Sequence, residues 1–141
     1  MDNINIKIIP QFILELSSIM IEKRKQQMAS PHHQRLKSNH MCVILDKNHN
    51  ILAFGSNYYN LQIDITEHAE VQALRKLIEK MGRTNRKITI DILVIRTTGG
   101  NSKPCDKCIN RMYELSIRFK IRNIFYTNDY YFIECVKFSK L

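Results

Sequence analysis

The segment from Ile88 to Ile95 limits the possible folds of this chain most strongly, because nearly all of its residues are β-branched or aliphatic. Such a run is typical of a strand that other elements cover on both faces. A helical pattern follows from Pro104 to about Ser116, and a further apolar strand is predicted over Arg122–Thr127. Two strands joined by one helix run parallel, with a right-handed crossover. The pattern therefore predicts an α/β domain with helices packed on a sheet.

Two further helices are predicted from apolar residues at helical spacing. The first spans residues 10–28 and carries no recognisable motif. The second spans Thr66–Met81. Asp64 or Thr66 is expected to cap its start, and Gly82 is a natural stop.

Short apolar runs predict the remaining strands. Met41–Leu45 and Ile51–Phe54 flank a polar turn and are expected to form a hairpin, whereas Gly55–Ile65 is expected to be a loop. Tyr130–Phe138 is expected to run back along the preceding strand after a tight turn at Asn128–Asp129. The predicted order is α-β-β-α-β-α-β-β, and no linker divides the chain, so a single domain is expected.

The N-terminal residues and the cysteine content favour an intracellular, cytoplasmic protein. Polar residues and Pro10 interrupt the stretch Ile8–Ile21, so neither a signal peptide nor a membrane span is expected. In a reducing compartment the four cysteines are expected to be reduced or bound to metal. The net charge of +9 favours a nucleotide or nucleic-acid partner.

Two short motifs supply the ligands of a metal site. His68-Ala69-Glu70 offers an imidazole and a carboxylate, and Pro104-Cys105-Asp106-Lys107-Cys108 offers two thiols. Both are predicted at helix starts, at the sheet edge where α/β proteins place their sites. One imidazole and two thiols fill three positions of a tetrahedral zinc and leave one for water, which is typical of catalytic sites. Glu70 is then placed to move the protons of that water.

Other interpretations of these residues are open. The two thiols alone also fit a redox dithiol, although such a site has no need of His68 and Glu70. A closed structural zinc site requires a fourth ligand, for which Cys42 and Cys135 are candidates, although both lie in apolar strands. The other histidines lack ligand spacing and are expected to be solvated or to cap: His32, His33, His40 and His49.

The two motifs resemble the H-x-E…P-C-x-x-C signature of the zinc-dependent cytidine and deoxycytidylate deaminase superfamily. That superfamily also includes tRNA adenosine deaminases and polynucleotide cytidine deaminases. The flanking segments are similar too: Ile51–Asn57 resembles the family's second strand with its substrate-contacting Asn, and Thr66–Glu70 resembles its T-x-H-A-E helix start. The resemblance extends over roughly residues 38–130.

The resemblance implies a fold and a role for each site residue. The implied fold is a three-layer α/β/α cytidine-deaminase-like domain over residues 1–141, with a five-stranded mixed sheet that ends in a C-terminal β-hairpin. Glu70 is expected to transfer protons as the catalytic residue, and the family's assembly implies a homo-oligomer. Zinc (Zn²⁺) ligands are expected at His68, Cys105 and Cys108. Substrate contacts are expected at Asn57, Ala69 and Thr66.

Three functions are consistent with these residues. The first is deamination of a cytosine-containing nucleoside or nucleotide, which the short hairpin Tyr126–Phe132 favours by its resemblance to small pyrimidine deaminases. The second is deamination of RNA or DNA bases, as in tRNA adenosine deaminases, which the basic charge supports. The third is a catalytically silent zinc-binding module, against which the intact Glu70 argues. No membrane partner is expected.

Basic residues are predicted at both ends of the sheet. At the zinc end they suit a single phosphate or a polynucleotide backbone. These residues are His32, His33, Arg35, Lys37, His40, Arg96 and Lys103. At the opposite end a second group follows the C-termini of the two site helices and is expected not to line the pocket of its own subunit. Its members are Arg83, Arg86, Lys87, Arg118, Lys120 and Arg122.

Overall fold

The computed structural model describes residues 10–28, 40–56, 58–60, 65–82, 87–96, 101–115, 118–128 and 132–141 of the chain. These ranges contain three α-helices, seven strands and a C-terminal 3-10 helix. The helices are α1 (Gln11–Met28), α2 (Ala69–Met81) and α3 (Asp106–Leu115), and the 3-10 helix is Phe138–Lys140. The strands are β1 (His40–Asp46), β2 (Ile51–Ser56), β3 (Tyr58–Asn60), β4 (Ile65–Glu67), β5 (Ile88–Arg96), β6 (Phe119–Thr127) and β7 (Ile133–Lys137).

Five of the strands form one mixed sheet in the order β2-β1-β5-β6-β7. Strands β5 and β6 are parallel and are connected through α3, whereas the β1–β2, β1–β5 and β6–β7 pairs are antiparallel. The parallel pair and the C-terminal hairpin confirm the topology predicted from the sequence. The parallel connection matters for function, because it brings the start of α3 to the C-terminal end of β5.

Helices cover both faces of the sheet, as the composition of β5 predicted. Residues Ile90, Ile92 and Val94 of β5 belong to the core beneath α2 and α3. The alternate residues Leu93 and Ile95 belong to a second core beneath α1. The three-layer α/β/α architecture with a five-stranded mixed sheet is therefore confirmed. Within the described ranges, no helix has the length and apolar character needed to cross a membrane.

The segment predicted to be a loop before α2 contains a small second sheet. Strands β3 and β4 pair antiparallel, with Thr66 opposite Tyr59. Helix α2 therefore begins at Ala69 rather than at Thr66, and its N-cap is His68, which makes no side-chain cap bond. The expected cap at Thr66 was wrong, because β-branched residues at 65 and 66 favour extended backbone; Asp64 lies outside the described residues. The stop at Gly82 is confirmed by its left-handed φ of 61°.

Other boundaries also differ from the sequence predictions. Helix α3 begins at Asp106, so Cys105 precedes the helix instead of lying inside it. Strand β6 begins at Phe119, three residues before the predicted Arg122, because inward and outward residues already alternate there. Strand β7 ends at Lys137, where the chain turns into the 3-10 helix.

Candidate metal centre

The starts of α2 and α3 bring three metal-binding side chains together at the C-terminal end of β5. His68 is the N-cap of α2 and has extended backbone angles. Cys105 lies immediately before α3, and Cys108 lies in its first turn. The positive end of each helix dipole therefore faces the site, which favours thiolates once a cation lies beside them.

The distances among the three side chains fit a tetrahedral zinc ion. Nδ1 of His68 lies 3.8 Å from Sγ of Cys105 and 3.0 Å from Sγ of Cys108. The two sulfurs are 3.5 Å apart. Zinc bonds of about 2.3 Å to sulfur and 2.0–2.1 Å to nitrogen, at tetrahedral angles, require ligand separations of about 3.5–3.8 Å. The sulfur–sulfur distance and the distance from Nδ1 to Cys105 differ by about 0.3 Å from the values for their pairs, and the distance from Nδ1 to Cys108 is shorter by about half an ångström.

A fourth position that no described residue fills distinguishes this cluster from a closed structural site. Among the described residues, the potential metal ligands that converge here are the imidazole and the two thiols. Cys42 is completely buried in the core beneath α2 and α3, and Cys135 borders the core on the other face of the sheet. Neither cysteine therefore serves as a fourth ligand, which is the arrangement of a catalytic zinc site.

A buried hydroxyl fixes the segment that leads to Cys105. Oγ of Ser102 donates a hydrogen bond to the carbonyl of Val94 (2.7 Å) and accepts one from the N–H of Thr127 (2.7 Å). The N–H of Ser102 also donates to the carbonyl of Thr127 (2.8 Å). These bonds join the segment before α3 to the ends of β5 and β6. The thiol of Cys105 is thereby held at a defined place on the edge of the sheet.

Glu70 lies beside the cluster and is only 4% exposed. Burial raises the pKa of this carboxyl above its ordinary value, although a hydrogen bond with Cys108 and the charge of His68 act in the opposite direction. A carboxyl that is buried and has a raised pKa binds a proton more firmly than an exposed one, which suits a group that accepts and returns protons.

Without a cation beside it, the thiol of Cys108 is protonated, because its pKa is raised. Burial raises the pKa of Cys108 well above its ordinary value, and the negative charge of Glu70 raises it further. A divalent cation next to the sulfur has the opposite effect and deprotonates the thiol. Metal binding at this site is therefore expected to release protons.

A cavity of about 190 Å³ opens next to the three ligands. Its lining residues are His40, His68, Ala69, Glu70, Ser102, Lys103, Pro104 and Cys105. The predicted substrate contact Ala69 lies on this cavity. Asn57 lies outside the described residues, as does the side chain of Thr66. Of the four predicted chemical groups, those of His68, Cys105 and Glu70 line this cavity, and Cys108 contacts His68.

His40 lies at the zinc end of the sheet, as the sequence predicted, but its expected role was wrong. It was expected to be solvated or to cap, but it is half-buried and lines the cavity. Burial lowers the pKa of His40, and the positive charges of Arg96 and His68 lower it further. The register of β1 against β5, which sets this position, was not visible in the sequence. Period-2 alternation from Cys42 and Ile44 was the one signal that places His40 on the same face.

Comparisons with known proteins agree with this geometry. The family model described as "Cytidine and deoxycytidylate deaminase zinc-binding region" matches residues 17–126. A comparison with curated protein sequences finds no match.

Solved structures of deaminases share the fold. A cytidine deaminase from Burkholderia pseudomallei is 19% identical and has a TM-score of 0.59, with 87% of this chain and 93% of that chain covered. A cytidine deaminase from Mycobacterium leprae is 11% identical with a TM-score of 0.56, and the coverage is 90% and 94%. A dCMP deaminase from the cyanophage S-TIM5 is 20% identical with a TM-score of 0.53, and the coverage is 85% and 86%.

Proposed function

The chain belongs to the cytidine and deoxycytidylate deaminase zinc-binding family, and we propose that it is a zinc-dependent hydrolase that releases ammonia from a cytosine-containing nucleoside or nucleotide. The observation that carries this proposal is that an imidazole, a thiol and a buried carboxyl line one small cavity, while a second thiol contacts the imidazole. His68, Cys105 and Cys108 are the proposed ligands of the ion. Bound zinc supplies a Lewis acid that activates water near neutral pH.

Glu70 is the proposed catalytic residue. Its buried carboxylate takes a proton from the attacking water and returns protons to the ring nitrogen and to the departing amino group. One water is consumed and one ammonia is released, so the amino-bearing ring carbon becomes a carbonyl. Proton transfer of this kind contributes about 10²–10⁴-fold to the rate. The raised pKa of Glu70 supports this role, because a stronger acid binds the proton too weakly to accept it from water.

Substrate contacts are proposed at the cavity and at the end of β2. The backbone at Ala69 lines the cavity and is placed to contact the base. Asn57 and Thr66 are proposed as further contacts from the resemblance of their motifs. The dCMP deaminase of cyanophage S-TIM5 was solved in complex with dCMP and dUMP. These two nucleotides differ only by the exchange of an amino group for a carbonyl, which is the reaction proposed for this chain.

The test is ammonia release from a panel of substrates by the zinc-loaded protein. The panel contains cytidine, deoxycytidine, their 5′-monophosphates, and single-stranded oligonucleotides that contain cytosine or adenine. Glu70→Gln is expected to lower turnover by about 10²–10⁴-fold while the zinc content stays the same. Glu79→Gln, an exposed glutamate of the same helix, is the matched control and is expected to retain full turnover. Equal turnover in Glu70→Gln and the unmodified protein would disprove the mechanism.

A further inference from the structure

One acidic residue interrupts the buried run of β5. Asp91 is 3% exposed and lies between Ile90 and Ile92, which are both completely buried. Its carboxylate accepts hydrogen bonds from Nε of Arg122 (3.1 Å), from Nη2 of Arg122 (2.5 Å) and from the backbone N–H of Asn123 (3.1 Å). A buried carboxylate loses its hydration, so a buried ion pair adds little net stability compared with apolar residues. The best-attested use of such a pair is to fix a register.

The carboxylate of Asp91 lies at an irregularity in the pairing of β5 with β6. Ile90 pairs with Ile121, but Ile92 pairs with Ile124. Two residues of β6 therefore lie opposite Asp91, and they are the two residues whose donors its carboxylate binds. An extra residue of this kind is a β-bulge, which is rare between parallel strands.

The bulge decides which side chains of β6 face α2 and α3. Phe119 and Ile121 before it, and Ile124 and Tyr126 after it, all belong to the core beneath these helices. Successive side chains of a strand point to opposite faces, so this pattern requires one extra residue between Ile121 and Ile124. Without the bulge, the second half of β6 would slip by one residue and each of its side chains would change face.

The second half of β6 ends at Thr127, which holds the segment that leads to Cys105. In addition to its two backbone bonds with Ser102, Thr127 donates a hydrogen bond from its hydroxyl to Oγ of Ser102 (2.7 Å). The same hydroxyl accepts a bond from the backbone N–H of Arg96, the last residue of β5 (3.2 Å). Both hydroxyl bonds require threonine at this position, because a slip by one residue would bring Tyr126 there.

We propose that Asp91, together with Arg122, is a positioning residue of the metal site: it fixes the bulge of β6 and thereby sets Thr127 opposite Ser102. Asp91 acts from a distance, since it precedes Arg96 by five residues, or about 16 Å of extended strand. This inference rests on the proposed function, because the site that the pair positions is the proposed catalytic centre.

The experiment measures zinc affinity by chelator competition, and hydrogen exchange of the Thr127 amide in the metal-free protein. The double variant Asp91→Leu/Arg122→Met removes both charges, so no buried charge is left unpaired. It is expected to fold and to lower zinc affinity by about 10- to 100-fold, as the loss of an outer contact of a metal site does. The exchange rate of the Thr127 amide is expected to rise by about tenfold or more.

Two further variants separate the register from general stability. Asp91→Asn keeps an oxygen that can accept the N–H of Asn123 and is expected to recover part of both values. Leu45→Ala is the matched control, because Leu45 pairs with Asp91 across β1 and β5 but lies in the core beneath α1. Its loss is expected to lower the midpoint of chemical denaturation and to leave zinc affinity unchanged.

The outcomes decide the proposal as follows. Unchanged zinc affinity and unchanged Thr127 exchange in the double variant overturn it. An equal loss of zinc affinity in Leu45→Ala also overturns it, because the effect would then follow from stability alone.

Two other results leave the register testable. If the double variant does not fold, Arg122→Met alone decides, since the half-exposed Arg122 supplies two of the three bonds to Asp91; faster exchange of the Thr127 amide is expected, and an unchanged rate overturns the proposal. If no substrate releases ammonia, the proposed function fails, while the exchange rate, measured without metal or substrate, still decides the register.

Discussion

Gly55 of β2 lies directly against the backbone of α2, and its replacement by alanine is expected to damage the site more than the fold. A Cβ atom at this position would lie 2.5 Å from the carbonyl oxygen of Ala69 and 2.7 Å from the backbone nitrogen of Ala73. Both atoms belong to the backbone of α2, so a side-chain rotation does not relieve the contact. The helix must retreat by about 0.9 Å to reach an ordinary separation of 3.4 Å.

The expected magnitudes follow from that displacement. Overpacking of a core typically costs about 1–3 kcal/mol of the free energy of unfolding. The retreating first turn carries Glu70 and is continuous with His68. A misplacement of about 1 Å at a catalytic group costs about 10²-fold in rate. Gly55→Ala is therefore expected to lower kcat/KM for ammonia release by about 100-fold and to weaken zinc retention, which chelator competition measures.

Gly82→Ala is the matched control, because Gly82 lies at the other end of the same helix. A Cβ there meets no atom within 4 Å, but the φ of +61° is unfavourable for alanine. This substitution is expected to cost about 1–3 kcal/mol of stability without a change in kcat/KM. Chemical denaturation and initial rates measure the two quantities separately. A Gly55→Ala protein that keeps its zinc and works within about threefold of the unmodified rate would refute the claim that this contact positions the site.

Three further perturbations test other parts of the structure. Ser102→Ala leaves the N–H of Thr127 without its buried acceptor. Thermal or chemical denaturation is expected to show a loss of about 1–3 kcal/mol in the free energy of unfolding, and zinc affinity is expected to fall. An unchanged free energy of unfolding would argue against the hydroxyl network. The side-chain oxygen of Gln72 accepts a 2.8 Å hydrogen bond from the N–H of Ser56, the last residue of β2. Ser56 precedes the proposed substrate contact Asn57, so Gln72→Leu is expected to raise KM by up to about tenfold, with a smaller effect on kcat. Gln72→Glu keeps the acceptor oxygen and is expected to restore KM; a fall in kcat alone contradicts this role. Hydrogen bonds from Asn50 hold the pKa of Asp46 below its ordinary value. The ionised carboxylate therefore stabilises the fold above the unfolded pKa of about 3.9, and this stabilisation is lost as the pH falls through the folded pKa. Asn50→Ala is expected to move the pKa of Asp46 upward in an NMR titration, and no shift refutes the assignment.

Local patterns predicted most of the fold correctly. The aliphatic run of β5 and the helical spacing of α2 and α3 depend on burial of one or two faces, which a short window of sequence reveals. The ligand motifs at the starts of α2 and α3 were recognisable because they match the H-x-E…P-C-x-x-C signature. The convergence of His68, Cys105 and Cys108 then followed from the parallel connection between β5 and β6.

The features that were not predicted from the sequence depend on pairing between distant segments of the chain. The β3–β4 sheet joins two strands of only three residues each, which are too short to show a period. His40 was expected to be solvated, but the β1–β5 register places it opposite Arg96, where it is half-buried. The hydrogen bonds of Ser102 were not predicted, because its acceptor on Val94 and its donor on Thr127 lie on two different strands. Such contacts are set by tertiary structure and leave no local signal.

The coordination of the bound zinc tests the central claim most directly. X-ray absorption at the zinc edge of the metal-loaded protein counts the sulfur and the lighter ligands. The expected spectrum has two sulfurs at about 2.3 Å and two nitrogen or oxygen ligands at about 2.0–2.1 Å, which correspond to Cys105, Cys108, His68 and one water. A shell of three or four sulfurs, or a protein that does not take up one zinc per chain, would contradict the open catalytic site.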